Sequence, residues 1–178
     1  MTGSQPHGGN VTGPIVAEFR EAMSRLAAGV NVVTTDGPAG RAGFTATAVC
    51  SLSMDPPSLL VCMNRASEQN GVFRTNRSLC VNILSENHQE RAAEFAGKTA
   101  LKGQERFSTA SWDRLVTGAP ALRGALCCID AEVCDIIEFG SHDIFICQAR
   151  SVRIDHQDEV GVVYFQRGVH LISGTSGY

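Results

Sequence analysis

The sequence predicts a mainly β domain, an antiparallel Greek-key barrel with flanking helices. Short β-rich segments dominate its 178 residues and few helical segments separate them, which favours antiparallel strands over a parallel βαβ sheet. The Gly-x-Gly-x-x-Gly fingerprint of a Rossmann nucleotide site does not occur in the sequence. A chain of this length is sufficient for one domain with a core that needs no disulfides or metals.

The first predicted elements are a helix and a hairpin. Apolar side chains recur at three- and four-residue steps over residues 15–28, which predicts an amphipathic helix ended by Gly29. These side chains are Ile15, Phe19, Met23 and Leu26. The β-branched run 30–35 predicts a strand, and the turn residues 36–40 lead back into the next strand as a hairpin.

The remaining elements follow from apolar runs bounded by turn residues. Strands are predicted at residues 58–63, 79–84, 125–139, 142–154, 161–165 and 169–172. Short helices are predicted at 67–75 and at 85–96, where Ser85 is the cap and Gly97 the end. The pair Pro56-Pro57 marks a corner, and Gly140-Ser141 a tight turn between the two longest strands.

Small and hydroxyl-bearing residues fill the segment 43–53. In one extended strand, odd-numbered side chains point to the same face. Those with hydroxyls are Thr45, Thr47, Ser51 and Ser53. Such a row suits phosphate oxygens or the heteroatoms of a heterocycle, and small side chains let a flat ligand approach the backbone. The alternative is an edge strand whose hydroxyls face water.

Composition excludes several classes of partner. A net charge of −3 gives no electrostatic support for nucleic-acid binding, and no apolar run approaches the length that spans a bilayer. We therefore expect neither nucleic acid nor membrane as a partner. Residues 1–13 are polar and lack the apolar core of a secretory signal, so we expect a disordered arm before a domain at 14–178.

The seven cysteines favour neither a metal nor a disulfide site. No Cys-x-x-Cys pair occurs, and most cysteines sit inside apolar runs, where a free thiol behaves as a small buried hydrophobe. An odd number of unpaired thiols is typical of a reducing compartment, so we expect a cytoplasmic protein without a bound metal.

At this point the motifs taken together resemble the flavin reductase family, the small NAD(P)H:flavin oxidoreductases of two-component monooxygenases. The resemblance rests on the order and separation of ten short segments and covers nearly the whole chain after the N-terminal arm. These segments are residues 19–23, 30–37, 43–51, 55–57, 60–65, 79–84, 95–97, 106–107, 140–144 and 164–165.

The resemblance implies a fold, cofactors and partners. The fold is a split β-barrel of the FMN-binding type that forms a homodimer, with flavin bound near the dimer interface. The acceptor is FMN or FAD and the donor NADH or NADPH. We expect NADH, because no arginines cluster near the implied site. The reduced flavin would diffuse to a separate oxygenase component acting on a small, aromatic or phenolic substrate.

The resemblance also implies a set of flavin-binding residues. They are, in chain order, Thr45, Ala46, Thr47, Ala48, Ser51, Ser53, Asn64, Arg65, Ser67, Phe95, Ala96, Gly97 and Tyr164. Residues 45–48 would lie along the isoalloxazine and ribityl chain, and the two serines would bind the ribityl chain or phosphate. Residues 64–67 would form the phosphate end, and 95–97 the far end of the pocket. His142 would face the nicotinamide as the catalytic residue, and Tyr164 would close the site.

Each of these assignments has an alternative in the sequence itself. Arg65 is also an ordinary solvated loop arginine, and His142 a strand-edge histidine facing water. Phe95 is typical of a core residue. His88 and His156 are expected at the surface, whereas His170 either lies near the nicotinamide or covers the barrel end. Two other functions remain open: a pyridoxamine-phosphate-oxidase-like flavoenzyme, and a non-catalytic flavin- or haem-binding module.

Overall fold

The computed structural model describes residues 13–155 and 160–174. Its α-helices are α1 (Pro14–Ser24), α2 (Asn70–Asn76) and α3 (Gln89–Phe95), and 3-10 helices lie at Glu86–His88 and Gly103–Phe107. Its strands are β1 (Ala28–Gly29), β2 (Asn31–Thr35), β3 (Ala42–Ala46), β4 (Val49–Met54), β5 (Pro57–Asn64), β6 (Ser78–Ile83), β7 (Trp112–Arg114), β8 (Pro120–Leu122), β9 (Cys127–Phe139), β10 (His142–Ile154), β11 (Val160–Phe165) and β12 (Gly168–Ser173). The expected N-terminal arm, apart from Gly13, and His156 lie outside the described residues.

Within the described ranges every strand pair is antiparallel, and the strands form three sheets. The largest has the order β3-β2-β6-β9-β10-β5-β4, the second the order β1-β11-β12, and the third pairs β7 with β8. The mainly β class with few helices is confirmed. The two longest strands, β9 and β10, meet at the Gly140-Ser141 turn, as predicted, with Gly140 at a φ of 55°.

The two edges of the seven-stranded sheet are joined by only two residues. β3 ends at Ala46 and β4 begins at Val49, yet they are the first and last strands of the sheet. Laid flat, the two edge strands would be about 29 Å apart. Three Cα–Cα steps bridge at most about 11 Å. The sheet must therefore curl until its edges approach. Ala48 already pairs on the β4 side, since the Cys62 N–H of β5 donates to its carbonyl at 2.9 Å. We call the Thr47–Ala48 junction the seam.

The curled sheet is buried on both faces where β2 and β6 run. One apolar cluster collects side chains from β2, β3, β5, β6, β9 and β10, together with Phe73 of α2. The other packs β2 and β6 against α3, β8 and β11. Every residue of β2 is buried, as expected for a strand covered on both sides. This packing places α3 and β11 beside the seam.

The single strand predicted over residues 43–53 is wrong. The chain breaks between β3 and β4 at the seam, and β4 has a register shift between Ser51 and Ser53 against β5. The break follows from topology, because one straight strand cannot occupy both edges of a sheet. The four hydroxyls therefore do not form one row.

The first helix is also shorter than predicted. It ends at Ser24, and Ala28 and Gly29 pair with Tyr164 and Val163 of β11 instead of continuing it. Backbone pairing with a remote strand overrides the local helical pattern here. The apolar side chains of α1 are largely exposed: Phe19 is 64% exposed and Ile15 is 53%.

Candidate functional site

A cleft of about 370 Å³ opens at the seam and is lined from three directions. β3 and the seam contribute Thr45 and Thr47, α3 contributes small side chains, and β11 contributes Tyr164. We call it the central cleft; its lining residues are Val30, Thr45, Thr47, Gln89, Ala92, Ala93, Ala96, Lys98, Tyr164 and Val169. The three alanines leave an apolar wall without bulky side chains, which suits a flat ring.

Two of its walls are tied together by one hydrogen bond. The Thr45 hydroxyl donates to the Ala92 carbonyl at 2.7 Å, so it fixes α3 against β3. That hydroxyl is therefore already used within the fold, whereas Thr47, two residues on, forms no side-chain hydrogen bond among the described residues.

Four donors around the central cleft have no hydrogen-bond or ion-pair partner in the part of the chain that the structure describes. They are the hydroxyls of Thr47 and Tyr164, the Gln89 amide and the Lys98 ammonium. Among the described residues, no carboxylate lines this cleft. Donors that the fold leaves unused, beside an apolar wall, are the chemistry expected for a bound anionic heterocycle.

Two further clefts adjoin the central one. The arginine cleft, of about 530 Å³, shares Thr47 and Tyr164 with it and is lined by Arg20, Met23, Ser24, Leu26, Ala28, Thr47, Ala48, Tyr164 and Arg167. The Ser67 cleft, of about 260 Å³, shares Ala96 and is lined by Gly43, Phe44, Ser67, Glu68, Gln69, Phe95, Ala96, Gly97 and Arg106. The three clefts follow the seam and the C-terminal end of α3.

The structure brings eight of the predicted flavin-binding residues to these clefts. They are Thr45, Thr47, Ala48, Ser67, Phe95, Ala96, Gly97 and Tyr164. That these residues contact a flavin stays a prediction.

Three other predicted residues lie away from the cleft linings. Ala46 is buried, and its carbonyl accepts from the Asn31 amide at 3.2 Å. Ser51 is exposed on β4. The Ser53 hydroxyl accepts from the Asp55 N–H at 3.1 Å, so it closes a local turn.

Phe95 is a core residue that also lines a cleft; its contact with a flavin stays a prediction. It is 2% exposed, and its ring packs edge-on against Phe107 and Trp112, yet it also lines the Ser67 cleft. A Cβ on Gly43 would lie 2.6 Å from the Phe95 Cε1, so only glycine lets the ring lie against β3. The close approach of ring and strand thus depends on a residue without a side chain.

Asn64, Arg65 and His142 meet at the far end of β5 and β10. His142 pairs with Asn64 in register, and the Arg65 N–H donates to the Ser141 carbonyl at 2.9 Å. The Ser67 N–H donates to the Asn64 carbonyl at 3.1 Å, which links this end to the Ser67 cleft through one turn. His142 is exposed, and its Nδ1 lies 2.9 Å from the Ser141 Oγ.

The Arg65 guanidinium belongs to a network of charges. We call this the Asp143 cluster; its members are Arg65, Asn70, Arg74, Glu138 and Asp143. Arg65 lies 3.3 Å from Glu138 and 3.9 Å from Asp143, and Arg74 lies 2.9 Å and 2.7 Å from the same two carboxylates. Arg65, predicted to bind phosphate, is thus paired with carboxylates of its own chain.

Asp143 is the buried centre of this cluster. Its Oδ2 accepts from Asn70 at 3.0 Å and from Arg74, while Oδ1 has no hydrogen bond among the described residues. Burial alone would raise the pKa of Asp143, but the hydrogen bonds from Arg74 and Asn70 outweigh it and hold the pKa below its ordinary value. Asp143 is therefore ionised in the folded protein at neutral pH.

Sequence reasoning missed several residues of the three clefts. Lys98, Gln89 and Val169 line the central cleft, and Arg20 and Arg167 the arginine cleft. Lys98 directly follows the predicted segment 95–97, which was the available signal. Nothing local distinguishes Arg20 from any other arginine on a helix.

All seven cysteines have free thiols in the structure. Burial raises the pKa of Cys147 to about 12, so that thiol stays protonated at neutral pH. Across residues 13–155 and 160–174, no three His, Cys, Asp or Glu side chains are grouped to hold a metal ion. None of the helices described has the length and apolar character needed to cross a membrane.

Comparison with known proteins agrees with this architecture. Residues 23–173 match the family described as "Flavin reductase like domain". The chain belongs to this family.

Relatives and solved structures of this family align over most of the chain. FMN reductase (NADH) RutF from Yersinia enterocolitica is 50% identical over 86% of this chain and 82% of its own length. The 4-hydroxyphenylacetate 3-monooxygenase reductase component from Pseudomonas aeruginosa is 44% identical over 86% and 90%. BorF, the flavin reductase component of a bacterial two-component tryptophan halogenase, superposes with a TM-score of 0.82 at 27% identity, over 90% of this chain and 99% of its own.

These matches confirm the predicted family and the enzyme class, a flavin reductase. One relative's name carries FMN and NADH, which agrees with the predicted cofactors, FMN or FAD with NADH. The other two names each describe the reductase component of a larger enzyme system.

Proposed function

We propose that this chain transfers hydride from NADH to FMN and releases the reduced flavin to a separate oxygenase component. One observation carries the proposal: the central cleft offers four unused donors and an apolar wall at the seam of the curled sheet. FAD, which shares the isoalloxazine and first phosphate, is the second acceptor. The substrate of the oxygenase is a small aromatic or phenolic compound.

The residues of the three clefts fit a flavin. The alanines of α3 leave room for a flat ring, and the Thr47 and Tyr164 hydroxyls and the Gln89 amide supply hydrogen bonds for its heteroatoms. Lys98 supplies a cation for a phosphate or for negative charge on the ring. Ser67 lies one cleft further along, beside the turn that begins at Asn64, which supports a phosphate end there.

The chemistry assigned to the cofactors is hydride transfer from the nicotinamide C4 to the flavin N5. The protein's task is then to hold two rings at reacting distance, exclude water between them and stabilise the negative charge that develops. Lys98 carries the required charge, and no carboxylate within residues 13–155 and 160–174 lines the cleft to oppose it. His142 remains our candidate for a contact with the nicotinamide.

We also propose a split barrel and a homodimer. The curl that the seam requires supports the first. Large apolar side chains exposed on α1, β4, β9 and β12 support the second, because exposed apolar surface of this extent is typical of an interface. The proposed occupant is a second copy of this chain. The exposed apolar residues on these elements include Ile15, Phe19, Leu52, Met54, Phe139, Leu171 and Ile172.

The first experiment measures NADH oxidation with a catalytic amount of protein and excess FMN, then FAD, each repeated with NADPH. We expect many turnovers per protein molecule, fastest with NADH and FMN. Tight flavin binding without turnover would overturn the reductase in favour of a binding module. Light scattering on the eluting protein tests the dimer, and a Phe19→Glu variant should dissociate it.

A further inference from the structure

The arginine cleft has no assigned occupant. It lies on the other side of Thr47 and Tyr164 from the central cleft, so a ligand extending out of the central cleft past these two residues enters it. Its volume of about 530 Å³ exceeds that of the central cleft. One wall is apolar, formed by Met23 and Leu26 of the α1 region.

Two guanidinium groups line this cleft, and in the part of the chain that the structure describes no carboxylate does. Arg20 has no ion pair within the described ranges, and Arg167 donates to the Glu21 Oε2 at 2.7 Å. That bond uses one terminal nitrogen of Arg167 and leaves the others available. Together with Lys98 next door, three cations line the two clefts; Glu21 balances part of the charge of Arg167, and none of the lining residues in the described part of the chain is an acid. In a chain of net charge −3, this concentration of positive charge selects an anion.

The fold fixes the two arginines from separate elements. Arg167 stands at a φ of 64° in the turn between β11 and β12, and the preceding residue, Gln166, donates its N–H to the Ser24 carbonyl at 2.6 Å. The turn is thereby attached to the end of α1, which carries Arg20 one turn earlier. Glu21 adds the side-chain bond to Arg167. The two arginines thus line one cleft from two elements that the backbone hydrogen bond joins.

We propose that the arginine cleft binds the pyrophosphate of a dinucleotide, with Arg20 and Arg167 as its phosphate ligands and Met23 and Leu26 against the adenine. The inference rests on the proposed function and adds to it the residues that recognise the part of the cofactor remote from the reacting ring. Guanidinium groups bind phosphate oxygens through paired, charge-assisted hydrogen bonds. Both NADH and FAD carry this pyrophosphate, and the experiment distinguishes them.

The test compares cofactors with and without the pyrophosphate in the wild type and in an Arg20→Gln, Arg167→Gln variant. Reduced nicotinamide mononucleotide lacks the adenosine and its phosphate, so it replaces NADH as the truncated donor, with FMN as acceptor. FMN likewise replaces FAD in binding titrations. Titration with ADP-ribose by calorimetry measures the binding affinity of the cleft for the pyrophosphate in the absence of turnover. Arg25→Gln is the matched control, because Arg25 also pairs with Glu21 on α1 but does not line the cleft.

We expect the variant to raise the KM for NADH about tenfold, as the loss of charged hydrogen bonds predicts, and to bind ADP-ribose correspondingly weakly. The preference for NADH over the mononucleotide should shrink by the same factor, and Arg25→Gln should change neither. A loss confined to the FAD-over-FMN preference would assign the pyrophosphate to FAD. If both preferences and ADP-ribose affinity match the wild type, the proposal is overturned. ADP-ribose binding that depends on the arginines, in a protein without NADH turnover, would instead refute the proposed function alone.

Discussion

The central cleft and the Asp143 cluster both contain cationic and neutral donor side chains, but they differ in whether these donors are paired within the chain. In the cluster, two arginines face two carboxylates, and every charge has a partner within the chain. Among the described residues of the cleft, Lys98 and three neutral donors have no partner, and none of the lining residues is an acid. The comparison teaches that residue type alone does not identify a ligand site. Cations that face two carboxylates of the fold hold elements together, whereas those that keep unused donors are available to a ligand.

The largest effect is expected on stability, from a substitution that disrupts the Asp143 cluster. Asp143→Ala leaves Arg74 without its buried partner and should lower the free energy of unfolding by about 3 kcal/mol, measured by urea denaturation. Glu138→Ala is the control, because Glu138 is about half exposed and should cost less than about 1 kcal/mol. If an Asp143 variant weakened flavin binding without loss of stability, the cluster would have to be assigned to the flavin-binding site.

The cluster should also give a distinct dependence on pH. The pKa of Asp143 is lower in the folded than in the unfolded protein, so its stabilisation is complete above the unfolded value of about 4. That stabilisation is lost as the pH falls through the folded pKa. The stability difference between wild type and Asp143→Asn should therefore shrink as the pH drops below about 4 in urea titrations. A constant difference would show that the charge of Asp143 does not contribute.

In the cleft, Lys98→Met should weaken FMN binding about tenfold and leave stability unchanged, because a charged hydrogen bond to the ligand is lost and no bond within the fold. Flavin fluorescence measures the affinity. Lys102→Met, four residues on, is the control and should bind as the wild type does. If the Lys98 and Lys102 variants bind FMN with equal affinity, Lys98 does not contact the flavin.

His142→Ala tests the residue that was predicted to face the nicotinamide but that lies, exposed, next to Asp143. If His142 contacts the nicotinamide, the variant should slow flavin reduction about tenfold in stopped-flow traces, with little change in flavin affinity. A wild-type reduction rate would assign His142 to the surface of the β9–β10 turn.

The smallest effect separates two neighbouring threonines. Thr47→Val should cost about 1 kcal/mol of flavin affinity, or roughly fivefold, because its hydroxyl is unused in the fold. Thr45→Val should instead lower stability by a similar amount, since its hydroxyl donates to Ala92. The reverse pattern in fluorescence and urea titrations would exchange their roles.

The sequence was most informative where structure is local. The strands on both sides of Gly140-Ser141 and the buried run before Ser85 were predicted because their patterns depend on neighbours a few residues away. The end of α1 and the break at the seam were missed, because both are decided by strands that are distant in sequence.

The site shows the same division. Ala96 and Gly97 lie in one of the short motifs that carry the family resemblance, and Ser67 lies two residues after another; all three line a cleft. The pairing of Arg65 with Glu138 and Asp143 could not be foreseen, because its partners come from a hairpin more than seventy positions away. Lys98 was missed because a lysine in a polar loop has no pattern of its own.

The seam also has a kinetic consequence. Its two strands are neighbours in sequence, but their edges approach only after β6, β9 and β10 have joined the sheet between them. These pairings connect distant parts of the chain and are therefore the slow ones to form. We expect the central cleft to be among the last features to form during folding. The rate at which a refolding chain binds flavin would therefore report the rate at which the whole sheet is completed.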